Sequence, residues 1–156
     1  MRKILAVVIV AGLLFMVADA FGAEPPSDAI LGQWYTENDQ SVVEIYKSGE
    51  TYCGKIVWLK EPCNSDGTEK VDADNPDESK RTRRIIGMDI VQGFRYSGRG
   101  TWDSAKIYNP NDGKTYSCKA KIEKDKLNIR GYIGLSLLGR TTVWKRVEQA
   151  VAAAKD

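Results

Sequence analysis

Asp72, Asp74, Asp77 and Glu78 crowd into one short acidic stretch, followed at once by Lys80, Arg81, Arg83 and Arg84. Hard oxygen donors at alternate loop positions suit calcium, but the glycine and closing glutamate of an EF-hand loop are missing. The neighbouring basic residues can neutralise these carboxylates, so a solvated loop pairing with its own arginines is expected, without a metal. A carboxylate pair could also act as general acid and base, which needs one raised pKa, and nothing in so polar a stretch supplies it. The chain has no histidine. That removes Ser-His-Asp and Cys-His sites, His-bearing zinc sites and an imidazole proton shuttle. An enzyme here would have to use carboxylates, Lys, Tyr or a thiolate, and no recognisable motif arranges them.

The other reactive groups are three cysteines, Cys53, Cys63 and Cys118. An odd count leaves at least one unpaired within a monomer. Cys53 and Cys118 fall inside strand-like runs, where a thiol is a small buried hydrophobe, while Cys63 falls in a loop and is the most open to reaction. Spacing alone selects no pairing.

Four tryptophans and seven tyrosines remain. Trp34, Tyr52, Trp58, Trp102 and Tyr116 are candidate walls of a ligand site, and Arg130 and Arg140 candidate anchors for an anionic head group. The competing reading is that the rings fill a core and the arginines serve the surface or a closing contact. No cofactor is implied.

These residues must be positioned by strands. Short β-prone runs broken by turn residues occupy 33–36, 41–47, 51–59, 85–93, 101–108, 115–123, 126–132 and 140–147, the pattern of an all-β sandwich or barrel. Within 51–59, Tyr52, Gly54, Ile56 and Trp58 share one face by alternation. Lys47-Ser48-Gly49-Glu50, Asn109-Pro110-Asn111-Asp112-Gly113 and Glu123-Lys124-Asp125-Lys126 read as hairpin turns. The long break, 60–84, is the one candidate lid. A short helix or frayed tail is expected from Val147 onward.

Gly32-Gln33-Trp34 in the first run and Gly139-Arg140 through Trp144-Lys145-Arg146 in the last suggest strands that meet. A Gly-x-Trp whose indole lies under a basic side chain from the closing strand is how lipocalin-like barrels seal one end. Arg140 is the first choice for that partner and Arg146 the second. The expected fold is a single antiparallel up-and-down β-barrel of about eight strands. An interior of that size holds side chains alone or one small ligand.

Residues 1–23 read as a secretory signal: Arg2-Lys3, an apolar stretch from Ile4 to Val17, then Ala18-Asp19-Ala20. The apolar stretch is too short to span a bilayer and no second one follows, so no membrane span is expected once it is cut. Cys53 is the first cysteine, which leaves no lipid-anchor site near a cut. Residues 24–156 then form one domain in the periplasm or outside the cell. The net charge of +2 offers no electrostatic footprint for nucleic acid.

Trp58-Leu59-Lys60-Glu61-Pro62, Asp74-Asn75-Pro76-Asp77, Ile86-Gly87, Lys106-Ile107-Tyr108-Asn109-Pro110, Gly113-Lys114-Thr115-Tyr116, Arg130-Gly131-Tyr132-Ile133-Gly134 and Leu138-Gly139-Arg140-Thr141-Thr142-Val143-Trp144 together resemble the secreted bacterial family called domain of unknown function 2147. Many members read Gly-Gly where this chain has Ser104-Ala105, and Asp where it has Asn109. The resemblance implies the barrel and the compartment and assigns no activity. With the residue pattern it points to a non-catalytic binding module for a small apolar or amphipathic molecule. The alternative is an envelope interaction or maintenance protein with a filled barrel.

Overall fold

The computed structural model describes residues 24–147. The expected signal segment, and the expected tail beyond Val147, lie outside the described residues.

Eight antiparallel strands close into a barrel in chain order: β1 (Gly32–Tyr35), β2 (Ser41–Ser48), β3 (Thr51–Leu59), β4 (Asp89–Gly98), β5 (Thr101–Asn109), β6 (Lys114–Glu123), β7 (Lys126–Tyr132) and β8 (Arg140–Arg146). β1 pairs with β8, so no strand edge is left open. The expected up-and-down barrel is therefore the observed one. Among the described residues no helix is long and apolar enough to cross a membrane.

Tight turns gather at one end. Gly49 (φ 59°) opens the two-residue β2–β3 turn; Arg99-Gly100 and Lys124-Asp125 turn β4–β5 and β6–β7 with positive φ at both central residues. Those backbone angles match the twist of the strands they join. The longer connections, 36–40, 60–88, 110–113 and 133–139, all fall at the opposite end.

The fourth strand differs from the sequence expectation of 85–93. It begins at Asp89 and runs to Gly98, because the chain turns through Gly87 (φ 93°) and then passes through Gly93 (φ 84°) without leaving the sheet. Its register against β3 shifts on both sides of the Gly54–Val91 pair. Such extra residues bend a strand and let the sheet curl closed.

The tight-turn end is packed solid. Trp34, Trp102, Phe94 and Leu127 are all at 0% exposure, with Trp144 and Val91 beside them. The short 3-10 turn Ser27–Ile30 crosses beneath them as a plug. The Trp34 indole donates to the Ile30 carbonyl (2.9 Å), that of Trp102 to the Ser27 carbonyl (3.0 Å), and the Tyr52 hydroxyl to Asp28 (2.6 Å). Each large ring thus places its polar atom on the plug's backbone or acid, which removes the cost of burying it.

Arg146, not Arg140, lies over Trp34: its guanidinium carbon is 4.1 Å from the ring centroid. Register is the reason, since Trp34 is paired directly with Arg146 across the β1–β8 seam. Arg140 sits at the far end of the same strand. Gly32 belongs to this arrangement too, because its φ is +112° and a Cβ there would come within 3.1 Å of the Arg146 guanidinium.

Cys53, Cys63 and Cys118 are all free thiols. Cys118 is fully buried, and burial pushes its thiol up to about 12, while Cys63 is exposed in the 60–88 loop.

Candidate functional site

The long-loop end is hollow. A cavity of about 550 Å³ opens there, walled by Ile56, Ile90, Ile107 and Ile129 from four strands and by Ile85 from the 60–88 loop. Its size lies inside the range of about 300–1,000 Å³ typical of small-molecule sites. The wall strands place these residues by alternation, with Leu127, Ile129 and Gly131 of β7 and Tyr116, Cys118 and Ala120 of β6 all facing inward. Polar groups ring the mouth, among them Lys70, Arg140, Asn109 and Tyr116. Gly131 widens the interior: a Cβ there would meet Tyr116 and Ile107 only at 3.8–4.0 Å, so the glycine leaves space that a side chain could take.

The candidate wall and anchor residues separate into distinct places. Tyr116 and Arg140 line the cavity. Tyr116 donates to Asp112 (2.6 Å), and Arg140 pairs with Glu37 (2.5 Å) in the connection that follows the neighbouring β1. Trp34, Tyr52 and Trp102 belong to the packed end. Trp58 lies on the outer surface at 43% exposure, edge-on to Tyr35 with centroids 6.0 Å apart. The alternation that put it on the same face as Tyr52 fails at Val57, where β2 and β3 change register: Val42 pairs with Trp58 but Val43 with Ile56. One extra residue inverts every later side chain, so Leu59 turns inward in place of Trp58. Arg130 also faces outward, where it donates to the carbonyls of Ser136 and Leu137 (both 2.8 Å) and to the Thr141 hydroxyl (2.9 Å). It pins the 133–139 loop.

The 60–88 loop is fixed by a group that its composition would leave in solvent. Asp72 is at 0% exposure, accepting hydrogen bonds from Tyr108 (2.6 Å), Asn75 (2.6 Å) and Arg83 (2.9 Å). Burial pushes its carboxyl up, but these donors outweigh that effect and hold it below the ordinary value of 3.8. Burial and the Asp72 charge in turn push Tyr108 up to about 12. Tyr108 also lines the cavity, so the latch joins the loop to the cavity wall. The expected pairing of the loop with its own basic residues is otherwise present, in Asp77–Lys80 (2.8 Å), Glu78–Arg81 (3.2 Å) and Glu69–Arg84 (2.5 Å).

A second fixing point lies at the β5–β6 turn. Gly113 (φ 66°) packs so closely on the loop that a Cβ there would overlap the Asp74 carbonyl. Asn109 accepts from the backbone of Asn111 (3.1 Å), a turn-forming task that an aspartate would perform equally well. The Asp74-Asn75-Pro76 and Asn109-to-Gly113 motifs are thus two halves of one contact. Among the described residues no cluster of His, Cys, Asp and Glu side chains has the arrangement of a metal site.

No curated protein matches the chain. A solved structure does: protein HP1028 from the human pathogen Helicobacter pylori, described as belonging to the lipocalin family, aligns with a TM-score of 0.66 and 23% identity over 80% of this chain and 88% of that one. The likeness is one of fold, an eight-stranded barrel shared at low identity. A family model runs from residue 32 to residue 146, from the glycine beside the Arg146 guanidinium to the arginine that closes over Trp34. The chain therefore belongs to the family described as uncharacterized protein conserved in bacteria, DUF2147.

Proposed function

We propose that this protein is an exported, periplasmic binding module that takes one small apolar or amphipathic molecule into the long-loop end of its barrel. The observation that carries this reading is the division of the interior: one end is filled by Trp34, Trp102 and Phe94, and the other is a cavity of about 550 Å³ with aliphatic walls. Isoleucine walls reward buried apolar area, at roughly 25 cal/mol per Å² before ordering costs. The polar mouth suits a molecule with one hydrophilic end. Lys70 and Arg140 would favour an anionic head group there, sharing their charge with Glu61 and Glu37 respectively.

A fatty acid or a molecule of similar shape fits these requirements. The barrel seal, the plug and the latched loop act in this reading as a rigid frame around the cavity. Native mass spectrometry of protein purified from its own envelope identifies the occupant directly. A bound small molecule of amphipathic composition supports the proposal; a protein partner on an otherwise bare chain favours the interaction-module alternative.

A further inference from the structure

The 133–139 loop holds Ile133, Leu135, Leu137 and Leu138 at 67%, 71%, 85% and 80% exposure. No residue of this loop is charged. Four long aliphatic side chains presented together to solvent are costly and call for a partner. The loop is ordered in this outward arrangement. Arg130 grips its backbone at Ser136 and Leu137, the Leu138 amide donates to the Leu135 carbonyl (3.1 Å), and Gly139 returns so tightly that a Cβ would collide with the Gly131 carbonyl. These contacts fix the loop's backbone in the conformation that presents the side chains to solvent.

Beside the loop, the outer face of β5–β7 is basic. Lys119 is paired in register with Arg130, and Lys106 occupies the next row toward the loop, opposite Ser117. Neither lysine has a carboxylate within ion-pair distance among the described residues, whereas Lys121 is held by Glu123 (2.6 Å) nearer the packed end. Of the acids lining the mouth, Glu61 is paired with Lys70 (3.5 Å) and Asp112 accepts from Tyr116, while Glu37 beside it is engaged by Arg140.

We infer that this loop inserts into the interfacial region of an anionic bilayer while Lys106, Lys119 and Arg130 rest against its head groups. Aliphatic insertion flanked by basic residues is the pattern of peripheral membrane attachment, and attraction of the lysines to anionic lipid acts only within about a Debye length of roughly 8 Å. The inference is independent of what the cavity holds, since none of the four aliphatic residues lines it. It places the mouth of the cavity at the lipid surface.

The test is co-sedimentation of the protein, in the processed form the cell produces, with vesicles of phosphatidylcholine alone or mixed with phosphatidylglycerol. The native protein should bind the mixed vesicles about tenfold or more tightly than phosphatidylcholine alone, with the preference lost in high salt. Changing Leu135, Leu137 and Leu138 together to Ser should weaken binding by about tenfold or more, because apolar insertion is removed. An unchanged melting temperature and unchanged fatty-acid binding in that variant would show an intact barrel. Lys106→Glu with Lys119→Glu should abolish the phosphatidylglycerol preference while leaving the loop in place. Failure of the native protein to bind mixed vesicles, or equal binding by the triple variant, overturns the inference. A dimer in sedimentation velocity that disappears in the triple variant also overturns it and assigns the loop to a second copy of the chain.

Discussion

The Arg146 guanidinium stacks 4.1 Å above the Trp34 ring while donating to the carbonyls of Leu31 (2.9 Å) and Ala29 (2.7 Å). One side chain thus ties the last strand to the first strand's indole and to the plug beneath it. A cation shielded over an indole contributes about 0.5–2 kcal/mol, and hydrogen bonds from a charged donor about 1.5–3 kcal/mol. In a double-mutant cycle of Trp34→Phe with Arg146→Lys, measured by urea unfolding, a coupling energy of about 0.5–2 kcal/mol is expected. The matching cycle with Arg140→Lys should be additive to within about 0.5 kcal/mol, because Arg140 lies at the other end of the barrel. Coupling to Arg140 and none to Arg146 would contradict the observed register.

The Asp72 latch makes the 60–88 loop sensitive to pH at both extremes. Its carboxyl is held below the unfolded value of 3.8, so its contribution to stability is complete above that value and is lost as pH falls through the depressed folded one. Tyr108 is raised from 10.0 to about 12, so its contribution is complete below pH 10.0 and is lost as pH rises toward about 12. Limited proteolysis should find the loop resistant between these limits and cut progressively faster outside them. Asp72→Ala, which leaves Tyr108 and Asn75 without their acceptor, should destabilise by about 1–3 kcal/mol and remove the acid limb. Equal resistance in the native and Asp72→Ala proteins at neutral pH would show that the latch holds nothing.

Ser104 adopts a left-handed backbone (φ 63°) at the register shift between β5 and β6. A side chain there costs roughly 1 kcal/mol that glycine avoids. Ser104→Gly should therefore raise stability by up to about 1 kcal/mol, whereas Ser104→Ala, which keeps the strained Cβ, should not. Chemical denaturation of both variants distinguishes backbone relief from loss of the hydroxyl. A stabilised alanine variant would point to the hydroxyl instead.

The barrel was legible in the sequence wherever a strand kept strict alternation, as in β6 and β7, and wherever a turn needed Gly or Asn at a set place. It was lost where one residue was added. The bulge at Val57 carried Trp58 outward, and the turn through Gly87 moved the start of β4 to Asp89. Strand parity is a running count, so a single local insertion changes every later assignment. The Gly-x-Trp seal could be read, but its arginine could not, because Arg140 and Arg146 face the same side of β8 and only the register across the seam distinguishes them. Asp72 resembled its acidic neighbours in composition. Its burial depends on Tyr108, which the fold brings from a distant strand, and no local signal announces that.

Isothermal titration of delipidated protein with fatty acids of increasing chain length reads occupancy of the cavity itself. Affinity should rise with length until the cavity is full, at about 0.8 kcal/mol for each methylene fully buried before ordering losses. Gly131→Leu should remove this binding without unfolding the barrel, since a Cβ at residue 131 meets its neighbours at ordinary contact distance and the added methyls project into the cavity. Affinity that rises with chain length in the native protein and is absent in folded Gly131→Leu is the predicted result. No heat of binding at any chain length, or binding that Gly131→Leu leaves unchanged, would contradict it.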